Sequence, residues 1–265
     1  MRIRKTAVEG QFYPSNPTEL QHAIEHFNEI LDVNPSLWQL RSRAVIVPHA
    51  GYIYSGFTAN IAFRLLALQK ISRVIVIGPS HRVYLKGISI AAYDRYHTPL
   101  GELQMNQNII ATVKEKFGLV HIPDAHHEHS TEVQFPMIQY YMPEVEVAEL
   151  VYGDEEPKRV AEIIEVLLKD PKNGIVISTD LSHFYDLSQA NRLDRKCIDA
   201  VERLDTKALH HGCEACGKIG VEAMIIIAQK MGLKPKILDY RTSADASKDT
   251  SRVVGYMSAA FTEES

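Results

Sequence analysis

The feature that most constrains the fold is an apolar segment that ends in a polar turn carrying histidine, and the sequence contains three of them. They read AVIVPHAGYIYSG, RVIVIGPSHRVYLKG and GIVISTDLSHF. The first two turns carry His49 and His81, and the third carries Asp180 and His183. Continuous runs of Val and Ile are typical of strands that are buried on both faces, as in a parallel sheet covered by helices. Residues just beyond the carboxyl ends of such strands line the ligand crevice, so the sequence predicts one shared polar site.

Length and composition favour one α/β domain that comprises residues 1–265. The chain can bury a large core, and its content of 45% hydrophobic and 23% charged residues is ordinary for a globular protein. The net charge of −4 gives no basic surface for nucleic acid. No apolar run reaches the length of a membrane span, and the first segment, MRIRKTAVEGQFYP, lacks the apolar core of a signal peptide. We therefore expect a cytoplasmic protein that binds neither nucleic acid nor membranes.

The order of predicted elements indicates a central, mostly parallel or mixed sheet with helices on both faces. Strands are predicted at RAVIV, RVIVI, VEVAELVYG, GIVIS, KPKILDY and RVVGYMSAAF. Helices are predicted at PTELQHAIEHFNEIL, FTANIAFRLLALQ, NQNIIATVKEKFG, EEPKRVAEIIEVLLKD, LSQANRLDRKCIDAVERL and GKIGVEAMIIIAQKMG. We interpret GISIAAYD and TPLGELQM as the two extended pieces of a hairpin-like excursion. Pro136 and Pro143 limit any helix in FPMIQYYMP.

The turns after the first two strands favour a metal site. Taken alone, His49 or His81 is more often a hydrogen-bonded polar residue than a ligand. At successive strand ends they are better interpreted as a pair, because neutral imidazole nitrogen is a common ligand for Zn, Fe and Cu. Two such donors need one or two more. Tyr54 and Ser80 belong to the same turns and are expected to line the pocket.

The motif DLSH places a carboxylate and an imidazole three residues apart, which a helical start would bring to one side of the turn. Asp180 and His183 are then a ligand pair or a general acid/base pair. The alternative is an N-cap aspartate followed by a surface histidine, since Asp is a strong N-cap residue. Both interpretations stay open at this point.

The run HIPDAHHEHSTE is dense in ligands and bases but matches no closed zinc motif, and the HExxH signature is absent. Some of its histidines are expected to be solvated loop residues. Glu128 and His129 lie nearest to the following helical start, so they are the two that we assign to the pocket as catalytic candidates.

The cysteines allow several assignments. Three cysteines, an odd number, argue against a secreted disulfide framework. In HHGCEAC, Cys213 and Cys216 could form a redox dithiol before a helix, or half of a structural zinc site with His210 or His211. Alternatively, Cys216 alone is a third ligand beside the two histidines. Cys197 lies within an amphipathic helix and is predicted to be a small core residue.

Eight segments in fixed order resemble the Memo family, specifically the Memo-like group also called AmmeMemoRadiSam system protein B. They are AVEGQFYP, PHAGYIYSG, GPSH, TPLGE, EHSTEVQFP, STDLSH, ACGKIGV and SRVVGYMSAAF, and they extend over essentially the whole chain. The resemblance implies the LigB-like fold of class III extradiol dioxygenases. Those enzymes open catechol rings with non-haem Fe(II) held by two histidines and one carboxylate.

The same resemblance implies roles for individual residues. His49 and His81 match the two histidine ligands, and Cys216 takes the position of the third ligand. Asp180 and His183 match the remaining pocket residues, with His183 corresponding to the base that takes a proton from catechol. Because thiolate is softer than carboxylate, this donor set shifts the metal preference towards Zn, Cu or a differently tuned Fe.

The resulting expectation is a metal-dependent oxidoreductase with a mononuclear site, most consistent with iron and open to zinc or copper. A different class of function is a binding module that holds a peptide or small anion in the same cleft, since some Memo proteins are associated with phosphotyrosine peptides. A third is a hydrolase with a metal-activated water. The composite family name suggests Amme-type and radical-SAM partner proteins, and an oligomer is compatible with the sequence.

Overall fold

A mixed sheet of eight strands organises the structure, a computed structural model that describes residues 1–263. The last two residues of the predicted domain, 264 and 265, lie outside the described residues. The strands are β1 Ile3–Arg4, β2 Ser42–Val47, β3 Arg73–Pro79, β4 Ile88–Ile90, β5 Arg95–Thr98, β6 Gly101–Gln104, β7 Glu146–Tyr152, β8 Asn173–Ser178, β9 His183–Tyr185, β10 Lys234–Thr242 and β11 Val253–Thr262.

Four parallel strands form the centre of this sheet, in the order β2, β8, β3 and β7. Strand β11 joins β2 in the antiparallel direction and carries β10 and β9, and β4 joins the opposite edge through β7. Residue Val47 pairs with Ser178, and Pro79 pairs with Tyr152, so the parallel strands end together at one edge.

The helices cover both faces of the sheet. They are α1 Pro17–Glu29, α2 Phe57–Ala67, α3 Gln107–Phe117, α4 His129–Glu132, α5 Phe135–Tyr141, α6 Pro157–Leu168, α7 Leu187–Glu202, α8 Thr206–Leu209, α9 Lys218–Met231 and α10 Ala244–Ser247. Residues 45–47, 74–77 and 175–177 are at most 1% exposed. Because neighbouring residues of a strand face opposite sides of the sheet, both sides must be covered. The predicted α/β fold with a mixed sheet and flanking helices is confirmed.

The predicted excursion between β3 and α3 has different pairings from those expected. GISIAAYD contributes β4, which pairs with β7 of the main sheet. TPLGELQM contributes β6, which forms its hairpin with β5, while β1 adds to β5 in parallel. Buried Ile88 and Ile90 explain why β4 joins the main sheet, since that edge offers apolar contacts. In FPMIQYYMP, Pro136 lies in the first turn of α5, where its missing N–H costs no helical hydrogen bond.

The cysteines are paired differently from the prediction. Cys197 of α7 forms a disulfide with Cys213, with 4.8 Å between their Cα atoms. Cys197 is buried as predicted, but the sequence pattern had argued against a disulfide framework. Cys216 is the free cysteine of the chain. The predicted redox dithiol of Cys213 and Cys216 is therefore wrong, because the sulfur of Cys213 is already bonded.

Among residues 1–263, no helix combines the length and apolar character that crossing a membrane would require.

Candidate metal centre

Three neighbouring strands deliver polar side chains to the same edge of the sheet. His49, His81 and Asp180 each lie two residues beyond the last residue of a strand, after β2, β3 and β8 respectively. Since β8 lies between β2 and β3, the three turns are side by side. Cys216 comes from far along the chain, just before α9, which packs against β3 and β8. The strand-end placement expected from the sequence is what the structure has.

Two overlapping groups of described residues have donor atoms close enough to share one ion. In the first group, the donor atoms of His49, His81 and Cys216 all lie within 4.8 Å of one another. The second group contains His81, Glu128 and His129 within the same limit. The Cys216 Sγ atom lies 3.3 Å from Nε2 of His49. Neither group includes His210 or His211, so the alternative zinc half-site near Cys213 is not formed within residues 1–263.

The proton on His49 is fixed by the last residue of β8. The hydroxyl of Ser178 donates to the carbonyl of Ser130. The Ser178 oxygen must then accept from Nδ1 of His49, which lies 2.8 Å away. This leaves the Nε2 lone pair of His49 free to face Cys216. Burial, reinforced by His81 and His129, lowers the pKa of His49 well below its usual value. His49 is therefore a neutral imidazole, the form that binds metals.

One buried carboxylate, Glu128, holds the His81 turn. Its Oε2 atom accepts from the backbone N–H of His81 at 2.6 Å, and Oε1 lies 3.3 Å from Nδ1 of the same residue. Nδ1 of His129 lies 2.8 Å from the same Oε1. Burial would raise the pKa of Glu128, but hydrogen bonds from His129, His81 and backbone amides outweigh it and hold the pKa far below its usual range. Because a carboxylate only accepts hydrogen bonds, Nδ1 of His81 carries the proton and Nε2 is free.

The environment of Cys216 fits a metal ligand. Its Sγ accepts from the backbone N–H of Asp180 at 3.3 Å, and its own N–H donates to the carbonyl of Asp180. Burial, together with the Asp180 carboxylate, raises the pKa of the thiol to about 12. A thiolate at this position needs a compensating cation, because the free thiol keeps its proton at neutral pH. Two oriented imidazoles and one thiol that a cation would ionise are a donor set for a transition metal.

Asp180 supports the turn that carries His49. Its Oδ1 accepts from the backbone N–H of His49 at 2.7 Å, and burial raises the pKa of this carboxyl to about 7. Asp180 is not an N-cap, since α7 is capped by Asp186. The helical start predicted at DLSH is wrong, because His183 begins β9. Within residues 1–263, the Asp180 carboxylate makes no hydrogen bond to the ring of His183.

His183 is the first residue of β9 and lies within electrostatic range of His49 and His81. It pairs with Val254 of β11 and is half-buried. Burial lowers the pKa of His183, and His81 adds to this effect, so the two rings are electrostatic neighbours. At neutral pH His183 is an uncharged base beside the proposed ligands. The structure thus brings together all seven predicted metal and catalytic residues: His49, His81, Glu128, His129, Asp180, His183 and Cys216.

The two residues predicted to line the pocket have different surroundings. The Ser80 hydroxyl donates to the carbonyl of Val83, so it shapes the turn after β3. Tyr54 is 38% exposed and borders a largely apolar cavity of about 470 Å³ with Phe27, Ile53 and Phe57.

Several supporting residues were missed by the sequence analysis. Ser178 orients His49. The only indication of this role in the sequence is a serine at the end of an apolar strand. Gln134 donates to Ser178 and to the carbonyl of Pro48. A fully buried Glu149 lies 3.0 Å from Nδ1 of His126. The signal for that pair was a glutamate in the middle of the apolar strand VEVAELVYG.

Comparison with known proteins identifies the family of the chain. The family model described as "Memo: Memo-like protein" matches residues 4–260. The chain belongs to the Memo family. Among Memo relatives, a MEMO1 family protein of Sulfolobus acidocaldarius is 33% identical, with 98% of this chain and 99% of the relative covered. One from Thermoplasma volcanium is 34% identical, with 97% of each chain covered. One from Aquifex aeolicus is 32% identical, with 98% of this chain and all of the relative covered.

The family assignment confirms the resemblance seen in the sequence motifs. The matched region of the Memo model includes the turns after β2, β3 and β8 and the segment with Cys216. Membership of a family does not define a reaction, so the activity has to be argued from the site itself.

Proposed function

We propose that this Memo protein is a metal-dependent oxidoreductase with a mononuclear centre held by His49, His81 and Cys216. The observation that carries the proposal is the convergence of three donor atoms within 4.8 Å at the strand ends. Both imidazoles have Nδ1 engaged and Nε2 free, as metal-binding histidines with an orienting partner do.

Iron is the ion that we propose, with zinc and copper as the alternatives that the donors also suit. Two imidazoles and a single anionic ligand resemble the donor set of two histidines and one carboxylate that holds iron in non-haem Fe(II) oxygenases. The family's similarity to class III extradiol dioxygenases supports the same choice. When bound, the ion would supply Lewis-acid and redox chemistry towards O₂ and an oxygen-bearing substrate.

His183 is the proposed general acid/base. Its half-buried ring is neutral at physiological pH because burial lowers its pKa. A neutral imidazole can accept a proton from a substrate hydroxyl and return it later. Asp180 has a positioning role, because its carboxylate accepts a hydrogen bond from the backbone N–H of His49. In addition, the backbone N–H of Asp180 donates to Sγ of Cys216, and the carbonyl of Asp180 accepts from the N–H of Cys216. Glu128 positions the His81 turn in the same way.

A small oxygen-bearing molecule is the ligand that the polar cleft suits best, and we place the reaction in the cytoplasm. Association with Amme-type and radical-SAM proteins is part of the same proposal, and it is supported by the composite name of the family group. A copurification experiment with those two proteins would test it separately from the chemistry.

Metal binding is the first test. Protein without an affinity tag is depleted of metal under anaerobic conditions and titrated with Fe(II), Zn(II) and Cu(I). We expect one ion for each wild-type chain, and an affinity at least about 10-fold lower for His49→Ala and Cys216→Ser. His22→Ala is the matched control, because His22 is exposed on α1. Equal metal content in His49→Ala and wild type would remove this residue from the centre.

Turnover is the second test. The iron-loaded protein is assayed for O₂ uptake with catechols and related hydroxylated compounds, and His183→Ala is expected to keep its metal but lose activity. Substrate conversion that persists without O₂ would indicate a metal-dependent hydrolase instead. Peptide or anion binding that survives metal removal and Cys216→Ser would indicate a binding module.

A further inference from the structure

We propose that Tyr256 is a substrate-binding residue of this site, and that its hydroxyl donates a hydrogen bond to an oxygen atom of the substrate. The inference rests on the proposed function, because it concerns the molecule that binds beside the ion. Tyr256 lies within β11, and the residue is 2% exposed.

Tyr256 differs from the other buried tyrosines in the part of the chain that the structure describes. Each of the others donates its hydroxyl to a protein acceptor: Tyr13 to Glu132 at 2.7 Å, Tyr52 to the carbonyl of Val133 at 2.8 Å, Tyr96 to Glu149 at 3.4 Å and Tyr152 to the carbonyl of Gly217 at 3.1 Å. Within residues 1–263, no protein group hydrogen-bonds to the hydroxyl of Tyr256. Because a buried tyrosine hydroxyl normally has a partner, this exception requires an explanation.

The hydroxyl of Tyr256 is in contact with space that solvent can enter. Among residues 1–263, five side-chain nitrogen or oxygen atoms are fully enclosed and lack a hydrogen-bond partner, and the hydroxyl oxygen of Tyr256 is not one of them. Since the residue as a whole is only 2% exposed, the small exposed part of the side chain includes its hydroxyl. A ligand can therefore reach this hydroxyl and accept a hydrogen bond from it without breaking any bond within the protein.

Backbone hydrogen bonds bring Tyr256 to the turn after β8. The N–H of Leu181 donates to the carbonyl of Gly255 at 2.8 Å, and the N–H of Gly255 donates to the carbonyl of Ser182 at 3.0 Å. Two consecutive residues of the turn thus lie opposite one residue of β11, which is the arrangement of a β-bulge. The next residue of β11 is Tyr256, and the preceding residue of the antiparallel turn is Asp180. The two residues therefore lie beside each other.

Asp180 connects Tyr256 with two of the proposed metal ligands. Its carboxylate accepts from the N–H of His49 at 2.7 Å, and its N–H donates to Sγ of Cys216 at 3.3 Å. Burial, together with the Asp180 carboxylate and Tyr54, raises the pKa of Tyr256. The hydroxyl therefore keeps its proton at neutral pH and acts as a donor. A donor at this position is directed to the surroundings of the ion rather than to the protein.

Tyr256 and His183 supply complementary groups from neighbouring strands. His183 of β9 pairs with Val254, which lies two residues before Tyr256 on β11. A neutral His183 accepts a proton from one oxygen of the substrate, while Tyr256 donates to another. The pair favours a compound with two neighbouring oxygen atoms, one of which is negatively charged in the site. A hydrogen bond to a charged oxygen contributes more to binding than one to a neutral oxygen.

The test uses the protein loaded with Co(II), and azide is the probe anion. The charge-transfer band between thiolate and Co(II) reports the bond to Cys216, and visible absorption follows azide binding. We expect azide to bind to the wild type and to bind about 10–100-fold more weakly to Tyr256→Phe, which is the loss of one hydrogen bond to a charged group. Equal affinity in the two proteins, or a loaded wild type that does not bind azide, would overturn the role of Tyr256. Absence of the thiolate band would overturn the proposed centre instead.

Two further measurements separate substrate binding from a structural role. Tyr256→Phe should keep the Co(II) affinity and the thermal midpoint of the wild type, because its hydroxyl has no protein partner to lose. Tyr84→Phe is the matched control, since Tyr84 is 86% exposed, and it should change none of the three quantities. If Tyr256→Phe lowers the Co(II) affinity as much as the azide affinity, the residue supports the fold of the site and the proposal fails.

An NMR experiment observes the hydroxyl more directly. In Zn(II)-loaded protein labelled with ¹³C at the tyrosine Cζ atoms, the signal of Tyr256 is identified by its absence from Tyr256→Phe. Azide should shift this signal and leave that of Tyr84 unchanged, because only the Tyr256 hydroxyl acquires a new acceptor. A Tyr256 signal that stays in place at saturating azide would contradict the assignment.

Discussion

Replacement of Glu132 by leucine should destabilise the protein strongly, because this carboxylate is the partner of a buried charge. Glu132 and Arg4 form an ion pair in which both side chains are 1% exposed. The carboxylate also accepts from the backbone N–H groups of Ala7 at 2.7 Å and Val8 at 2.8 Å, and from the Tyr13 hydroxyl at 2.7 Å. It therefore attaches the N-terminal segment to α4.

The magnitude follows from what Glu132→Leu leaves behind. A buried ion that loses its partner costs about 3–5 kcal/mol. Each buried amide left without an acceptor adds about 1–3 kcal/mol, unless water reaches it. The unpaired ion alone accounts for about 4 kcal/mol, and the amides can only add to it, so we expect a loss of unfolding free energy of at least about 4 kcal/mol. At about 2–4 °C for each kcal/mol in a chain of this size, the midpoint of thermal unfolding should fall by at least about 8 °C.

The assay is thermal and urea unfolding of Glu132→Leu, Arg4→Met and the double variant. The double variant buries no unpaired charge, so it should be more stable than Glu132→Leu by about 2 kcal/mol, although it still lacks an acceptor for the N-terminal amides. Glu25→Leu on the exposed side of α1 is the control and should change stability by less than about 0.5 kcal/mol. A loss below about 1 kcal/mol in Glu132→Leu, or a double variant no better than the single one, would refute the reasoning.

Three further predictions concern the surroundings of the centre. Cys197→Ser should cost about 3 kcal/mol, because the disulfide to Cys213 closes a loop of 16 residues; reductant should destabilise the wild type but not this variant. Gly217→Ala should lower the free energy of unfolding by about 1–3 kcal/mol and weaken metal binding, because the added Cβ would lie 2.5 Å from the carbonyl oxygen of Ser178. Calorimetry measures the stability and titration with a chelator measures the metal affinity. Values equal to those of the wild type would contradict this prediction. Asp180→Ala should lower metal affinity by about 10–100-fold in the same titration, because the His49 amide loses its acceptor.

The parallel strands and their shared edge could be predicted from the sequence, because continuous runs of Val and Ile indicate strands that are buried on both faces of the sheet. His49, His81 and Asp180 could be placed at that edge because each follows such a run at the same short distance. The pairing of β4 with β7 was not predictable in this way, since a short apolar strand carries no information about its partner. The hairpin of β5 and β6 was assigned to the wrong segment for the same reason.

Contacts between segments that are distant in the sequence also could not be predicted. The disulfide between Cys197 and Cys213 depends on how α7 packs against the loop before α9. The spacing of the cysteines in the sequence gives no information about this packing. The role of Glu128 was underestimated because its two imidazole partners come from different turns. Ser178 was missed because its effect on His49 depends on a hydroxyl proton that is fixed by Ser130.

The central claim is that the strand ends hold one ion, and anomalous X-ray scattering from crystals of untagged protein with its native metal tests it most directly. The account predicts a single strong anomalous peak about 2.0–2.4 Å from Nε2 of His49, Nε2 of His81 and Sγ of Cys216. A peak held elsewhere, for example between His210 and Glu222 on the surface, with none at the strand ends, would contradict it.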